Sequence, residues 1–174
     1  MQWLQRLFDK VMSVFPSCLH VKPYMMGIRY TLGKHVKKLE PGWYMYWPLI
    51  QDMGYMEVVT QVVDLRTQSC KTLDGKDVVV SGALQYRITN IEHALLNVQD
   101  LDKSLITLAL GIILEFVNVK TLEECHNIEE LKGDITKGLR DKARGWGVKI
   151  ENVYITDIGN SRNIRLLTNG EGIV

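Results

Sequence analysis

The sequence is short of several things, and each shortage narrows what the chain can be. Cysteine is scarce: 174 residues carry three, Cys18, Cys70 and Cys125, far apart and without a CxxC pair. An odd count cannot pair completely within the chain, which fits a reducing compartment. Charge of one sign is also lacking. The 21 Lys and Arg against 20 Asp and Glu leave a formal net charge of +1, too little to create the long-range field that gathers DNA, RNA or an acidic substrate, so no nucleic acid is expected as a partner. Long hydrophobic runs are missing too. The longest, residues 105–114, is about half the ~20 residues a spanning helix needs, and Glu115 ends it. Asp9 and Lys10 interrupt the N-terminal apolar pattern where a secretory signal would require an unbroken apolar region.

Catalytic fingerprints are equally thin. His20, His35, His93 and His126 show no metal-ligand spacing with one another or with cysteine. Asp64, Asp74 and Asp77 are accompanied by no nucleophile elbow, P-loop or dinucleotide fingerprint, and turn chemistry accounts for Asp74 and Asp77. No catalytic, cofactor-binding or metal residue is therefore assigned, no cofactor is expected, and the chain reads as a protein that is not an enzyme. Apolar residues at 46% and charged ones at 24% are ordinary for a globular protein and exclude global disorder. One domain with its own core fits the length.

What is present begins with an amphipathic segment. Over residues 1–15, Trp3, Leu4, Leu7, Phe8, Val11, Met12 and Phe15 recur at helical steps while Gln5, Arg6, Asp9, Lys10 and Ser13 fill the opposite face. Pro16 stops that helix, and residues 16–24, with Pro16 and Pro23 near the edges, read as an extended linker. From 25 to 88 the chain is rich in Val, Tyr, Trp and Thr and punctuated by turn residues, so a β-rich half is expected. Its clearest strand is Asp77–Ile88, where apolar and polar residues alternate behind an Asp74-Gly75 turn. The second half changes period. Thr89 with Glu92 has the spacing of a capping box opening a short helix, Thr121 with Glu124 repeats it, and Asn127 with Glu130 starts a helix whose stripe is Ile128, Leu131, Ile135 and Leu139. Lys142, Arg144 and Gly145 mark the end of that helix. A last strand spans 148–158, with a phase slip between Ile150 and Val153 that implies a bulge. Residues 159–174 are a polar tail of no assigned structure.

Three blocks together resemble one family. Gly27 and Gly33-Lys34 lead to Glu40-Pro41-Gly42 and close on Trp47-Pro48. Val63-Asp64-Leu65-Arg66 precedes Thr72, Asp74-Gly75 and Tyr86-Arg87-Ile88. Gly145-Trp146-Gly147-Val148 is followed by Val153, Ile155 and Asp157-Ile158. In this order and spacing, over about residues 25–158, they are similar to the SPFH (band 7) domain of stomatins, prohibitins and flotillins. The resemblance implies an α+β fold: a single SPFH domain with a curved antiparallel-rich sheet and packed helices, here preceded by the amphipathic helix. It also implies a membrane-associated scaffold that self-associates into a homo-oligomer and organises or regulates membrane proteins, a membrane protease among them, from the cytoplasmic face. Relatives usually carry a membrane-inserted segment before the domain and a long coiled coil after it, whereas this sequence offers an amphipathic helix and stops at Val174. Small or concentration-dependent oligomers are the expectation.

The membrane-binding residues expected from the sequence are Trp3, Leu4, Leu7, Phe8, Val11, Met12 and Phe15 of the helix, joined by Trp43, Tyr44 and Trp47 from an aromatic run. Strand alternation would put Trp43, Met45 and Trp47 on one face and Tyr44 and Tyr46 on the other, one face core and one at the interface, with at least one tryptophan expected in the core. Lys34, Lys37 and Lys38 could meet anionic lipid or simply solvent. Cys18 is either an acylation site or an idle thiol. A soluble adaptor whose N-terminal helix docks on a partner protein is the competing reading.

Overall fold

The computed structural model describes residues 15–160; most of the helix read over 1–15 and most of the tail read over 159–174 lie outside the described residues. The chain is α+β, with its strands divided among three small sheets rather than gathered into one. Two compact units divide the described residues between them.

The first unit holds residues 15–60, Ile88–Gln99 and Gly145–Val148. Its strands are β1 (Ser17–Val21), β2 (Met25–Thr31), β3 (His35–Leu39), β4 (Gly42–Tyr46) and β5 (Gln51–Glu57), and its helix is α1 (Ile91–Leu96). β1 and β4 form an antiparallel ribbon, and β2 lies between β3 and β5 in an antiparallel sheet. The linker read between the prolines is extended, but its first part also pairs residue for residue with β4, from Ser17 opposite Tyr46 to Val21 opposite Gly42. Val21, Ile28, Leu39, Ile91 and Ala94 supply buried apolar side chains.

Helix α1 does not start where the capping pattern placed it. Asn90, not Thr89, is its N-cap: the Asn90 side chain accepts hydrogen bonds from the backbone N–H groups of Glu92 and His93. Thr89 is occupied elsewhere, its backbone N–H and its hydroxyl both donating to the Gly147 carbonyl. Asn and Thr are both good caps, so only the competing partner decides between them.

The second unit holds Gln61–Arg87, Asp100–Arg144 and the chain from Lys149 onward. Its sheet is ordered β6 (Gln61–Lys71), β7 (Asp77–Ile88), β8 (Val148–Asn160), with β6 and β7 antiparallel. β7 alternates as read: Val78, Val80, Leu84 and Tyr86 are buried. β6 carries a bulge between Leu65 and Gln68 that no sequence pattern announced. In β8, Ile150 and Val153 are both buried although three residues apart, so the inward face does change phase there. Helices α2 (Leu101–Asn118), α3 (Leu122–His126) and α4 (Ile128–Lys142) complete the unit. α2 packs against β6 and α4. Asp100 caps α2, and Thr121 with Glu124 forms the expected reciprocal capping box on α3. The α4 stripe is buried at Leu131, Ile135 and Leu139, but Ile128 at its first turn is exposed, a correction to the four-residue stripe.

The turn from β6 to β7 is pinned by Asp74. Its carboxylate accepts from the Thr72 hydroxyl, the Lys76 ammonium and the backbone N–H of Leu122. The Thr72 and Lys76 bonds hold the carboxyl down at about 2. A depressed folded-state pKa stabilises the fold above the unfolded value of about 3.9, and that contribution disappears as pH falls through the folded value. Asp74→Asn should therefore melt below wild type at neutral pH, and the two melting curves should converge between about pH 4 and pH 2. A gap that stays constant across that range would remove the carboxylate from the account.

Candidate membrane interface

The register of the first unit gathers three chain segments at one end. Ser17 sits opposite Tyr46, so Phe15 and Pro16 lie beside Trp47. Thr31 sits opposite both His35 and Gln51, so the turn at residues 32–34 lies beside the turn at residues 47–50. The Leu32 N–H donates to the Ile50 carbonyl at 2.9 Å and ties the two turns together. The residues gathered here are conspicuously apolar. Leu32 and Leu49 are each 70% exposed and Trp47 is 52% exposed, with Phe15 and Ile50 also open to solvent.

Single exposed apolar residues need no explanation, but several clustered in turns do, because turns favour Gly, Asn, Asp, Ser and Pro. Leu32 is the sharpest case. Its φ of 52° lies in the left-handed region, which costs a residue with a Cβ about 1–2 kcal/mol. Exposure of its side chain recovers none of that. The second turn is built to hold its shape: the Trp47 carbonyl accepts from the N–H groups of Ile50 and Gln51, and the Trp47 N–H donates to Gln51 Oε1 at 3.1 Å. Leu49 is displayed by a hydrogen-bonded turn.

The β1–β4 ribbon extends this surface. Direct cross-strand partners share a face, so Cys18 with Met45 and His20 with Trp43 form the outer side, and Leu19 with Tyr44 and Ser17 with Tyr46 the inner one. Trp43 is 74% exposed and stacks on His20 with ring centroids 4.6 Å apart, whereas Tyr44 and Tyr46 are half-buried. The expectation that one tryptophan of this run is core is not met: Val21, beside the tyrosines, takes the inward position. Trp43 and Met45 thus share the outer side and Tyr44 faces inward, while Trp47 follows the last paired residue, Tyr46, and is exposed.

Among the remaining sequence candidates, Phe15 is exposed at the gathered end, and Trp3, Leu4, Leu7, Phe8, Val11 and Met12 lie outside the described residues. Lys34 projects from the first turn, and Lys37 and Lys38 are exposed along β3. Leu32, Leu49 and Ile50 were missed in the sequence. The available signal was an apolar residue occupying a turn position, Leu32 before Gly33 and Leu49 after Pro48. No group of three or more His, Cys, Asp or Glu side chains among the described residues is placed to hold a metal ion. No helix among them is long and apolar enough to cross a bilayer.

The end of the first unit thus displays an apolar rim on an α+β framework. The profile of the SPFH domain / Band 7 family matches residues 19–165, and the chain belongs to that family. It is similar to an uncharacterized protein of Methanocaldococcus jannaschii, 28% identical over 164 residues that cover 94% of this chain and 82% of that protein. It is likewise similar to stomatin-4 of Caenorhabditis elegans, 26% identical over 159 residues, and to stomatin of Mus musculus, 26% identical over 141 residues. Those matches take in 90% and 79% of this chain but 57% and 50% of the two stomatins, so the chain spans about half the length of these relatives. Stomatin-like families are in general membrane-associated, non-enzymatic scaffolds.

Proposed function

We propose that this chain is a scaffold of the membrane surface: it docks peripherally on the cytoplasmic face, self-associates, and organises or regulates membrane proteins, a membrane protease being one class of client. The observation that carries the docking is the clustering of Phe15, Leu32, Trp47, Leu49 and Ile50 at one end of the first unit, the end at which residues 1–14 join it. In sequence those fourteen residues carry the apolar pattern of Trp3, Leu4, Leu7, Phe8, Val11 and Met12, and they enter the described chain at Phe15. Trp43 lies four residues before Trp47, which follows the end of β4 at Tyr46, a separation of at most about 13 Å at ~3.3 Å per residue. On a membrane met by the turns, Trp43 would stand at headgroup level, where indole rings are favoured.

The energetics fit reversible attachment. Partial burial of each large side chain contributes on the order of 1 kcal/mol, and ordering the N-terminal residues offsets part of it. A single copy then binds weakly, and self-association raises the affinity through effective concentration.

Replacing Leu7 and Phe8 with glutamate tests the helix. The double variant should float with liposomes much less than wild type while its thermal melt is unchanged. Undiminished flotation would remove the N-terminal segment from the interface, and a wild-type protein that floats with no liposome would favour an adaptor docking on a protein partner.

A further inference from the structure

Behind Trp47 the first unit contains a recess of about 330 Å³ lined by Pro16, Arg29, Met45, Tyr46, Trp47 and Gln51. Arg29 is its only cationic wall. The Arg29 Nε is buried and has no hydrogen-bond partner, and Arg29 forms no ion pair among the described residues. Such groups are uncommon, because a buried donor without an acceptor loses its hydration and gains nothing. The nearby amide oxygen, Gln51 Oε1, already accepts from the Trp47 N–H. Lys37 stands directly opposite Arg29 on the neighbouring strand, hence on the same face of the sheet, and adds a second positive charge.

A guanidinium with a free N–H, a second cation beside it and aromatic walls call for an oxyanion with apolar groups attached. A quaternary amine would be repelled. A phosphate matches the guanidinium fork. We propose that this recess binds the phosphate of an acidic phospholipid headgroup, with the Arg29 guanidinium as the donor and Lys37 as the supporting charge. This rests on the membrane reading and specifies which lipid class it selects. The position supports a lipid source over a free ion: Trp47 belongs both to the recess and to the exposed apolar end, so a headgroup held here would leave its acyl chains beside Leu49 and Leu32.

The test uses the full chain with 15N-labelled arginine, in which the Nε–Hε resonance of Arg29 is assigned by its absence from Arg29→Lys. Dihexanoyl phosphatidic acid below its micelle concentration should shift that resonance at lower concentration than inorganic phosphate does, and dihexanoyl phosphatidylcholine should leave it in place. No shift with any of the three overturns the site, and inorganic phosphate acting as strongly as the lipid overturns the lipid source. A second arm compares flotation with phosphatidylcholine vesicles with and without phosphatidic acid. Arg29→Gln should lose about tenfold of the preference for the acidic vesicles, as expected for one charge-assisted hydrogen bond, and keep its binding to neutral ones. An unchanged preference in that variant overturns the inference and leaves the membrane reading standing, whereas wild type floating with neither vesicle overturns the membrane reading itself.

Discussion

Gly147→Ala is expected to destabilise the fold by about 3 kcal/mol or more, a fall in Tm of roughly 6–12 °C for a chain of this size. Two costs add. Gly147 has φ of 72°, where a side chain is strained, and a methyl built there would sit 2.1 Å from the Asn90 carbonyl oxygen and 2.8 Å from the Ala94 nitrogen. Those are backbone atoms and cannot swing aside. They are also the groups that start α1, since the Ala94 N–H donates to the Asn90 carbonyl at 3.1 Å. In the other direction the Gly147 carbonyl accepts from the N–H groups of Thr89 and Asn90. The methyl would therefore separate the helix start from the segment that holds it. Gly145→Ala is the internal control. Gly145 shares the positive φ, at 89°, but a methyl there meets nothing within 4 Å, so only the conformational cost of about 1 kcal/mol remains. Equal melts for the two variants would show that the close approach at Gly147 does not matter.

The second large effect is expected on binding rather than stability. Replacing Trp43 and Trp47 together with serine should weaken liposome binding by about a hundredfold, taking roughly 1.4 kcal/mol of interfacial burial for each ring. The melt should change by less than about 0.5 kcal/mol, because both side chains are exposed. Tyr44→Ala should behave in the opposite way. Its half-buried ring faces inward beside Val21, so truncation should cost on the order of 1–3 kcal/mol of stability and little affinity. A double tryptophan variant that binds vesicles normally would place the lipid contact elsewhere.

Much of the fold could be read in advance where local chemistry and tertiary structure agree. β7 alternates because one face meets the core and the other does not, and the Thr72, Asp74 and Lys76 bonds of the turn and the α3 capping box are made within a few residues. The third family block contained Gly147 as a pattern only; its physical reason is that a methyl there would sit 2.1 Å from the carbonyl oxygen of Asn90, far away in sequence. α2 was not read as a helix because residues 105–114 are apolar nearly all round, which leaves no single stripe for a period to reveal. β1 looked like a linker because its flanking prolines mark extended chain without saying whether it is paired.

The interface was legible in part. The aromatic run announced itself by composition, but its phase did not: whether the tryptophans or the tyrosines face outward depends on the pairing of β4 with β1. Leu32 and Leu49 lie on turns brought together by the pairing of β2 with β5 and by the bond between Leu32 and Ile50, and no linear pattern joins them. The unpartnered Nε of Arg29 is a property of what surrounds it, and a sequence shows only that an arginine stands in a strand.

The end of the first unit bearing Trp47 is expected to enter the lipid interface. A variant keeping Trp47 as its sole tryptophan, with Trp3, Trp43 and Trp146 changed to phenylalanine, reports on that position directly through its fluorescence. On vesicles the emission should shift to the blue and be quenched by lipids brominated near the top of the acyl chain. If the protein floats with the vesicles while Trp47 emission stays that of an indole in water and bromine leaves it unquenched, the membrane is met by some other surface.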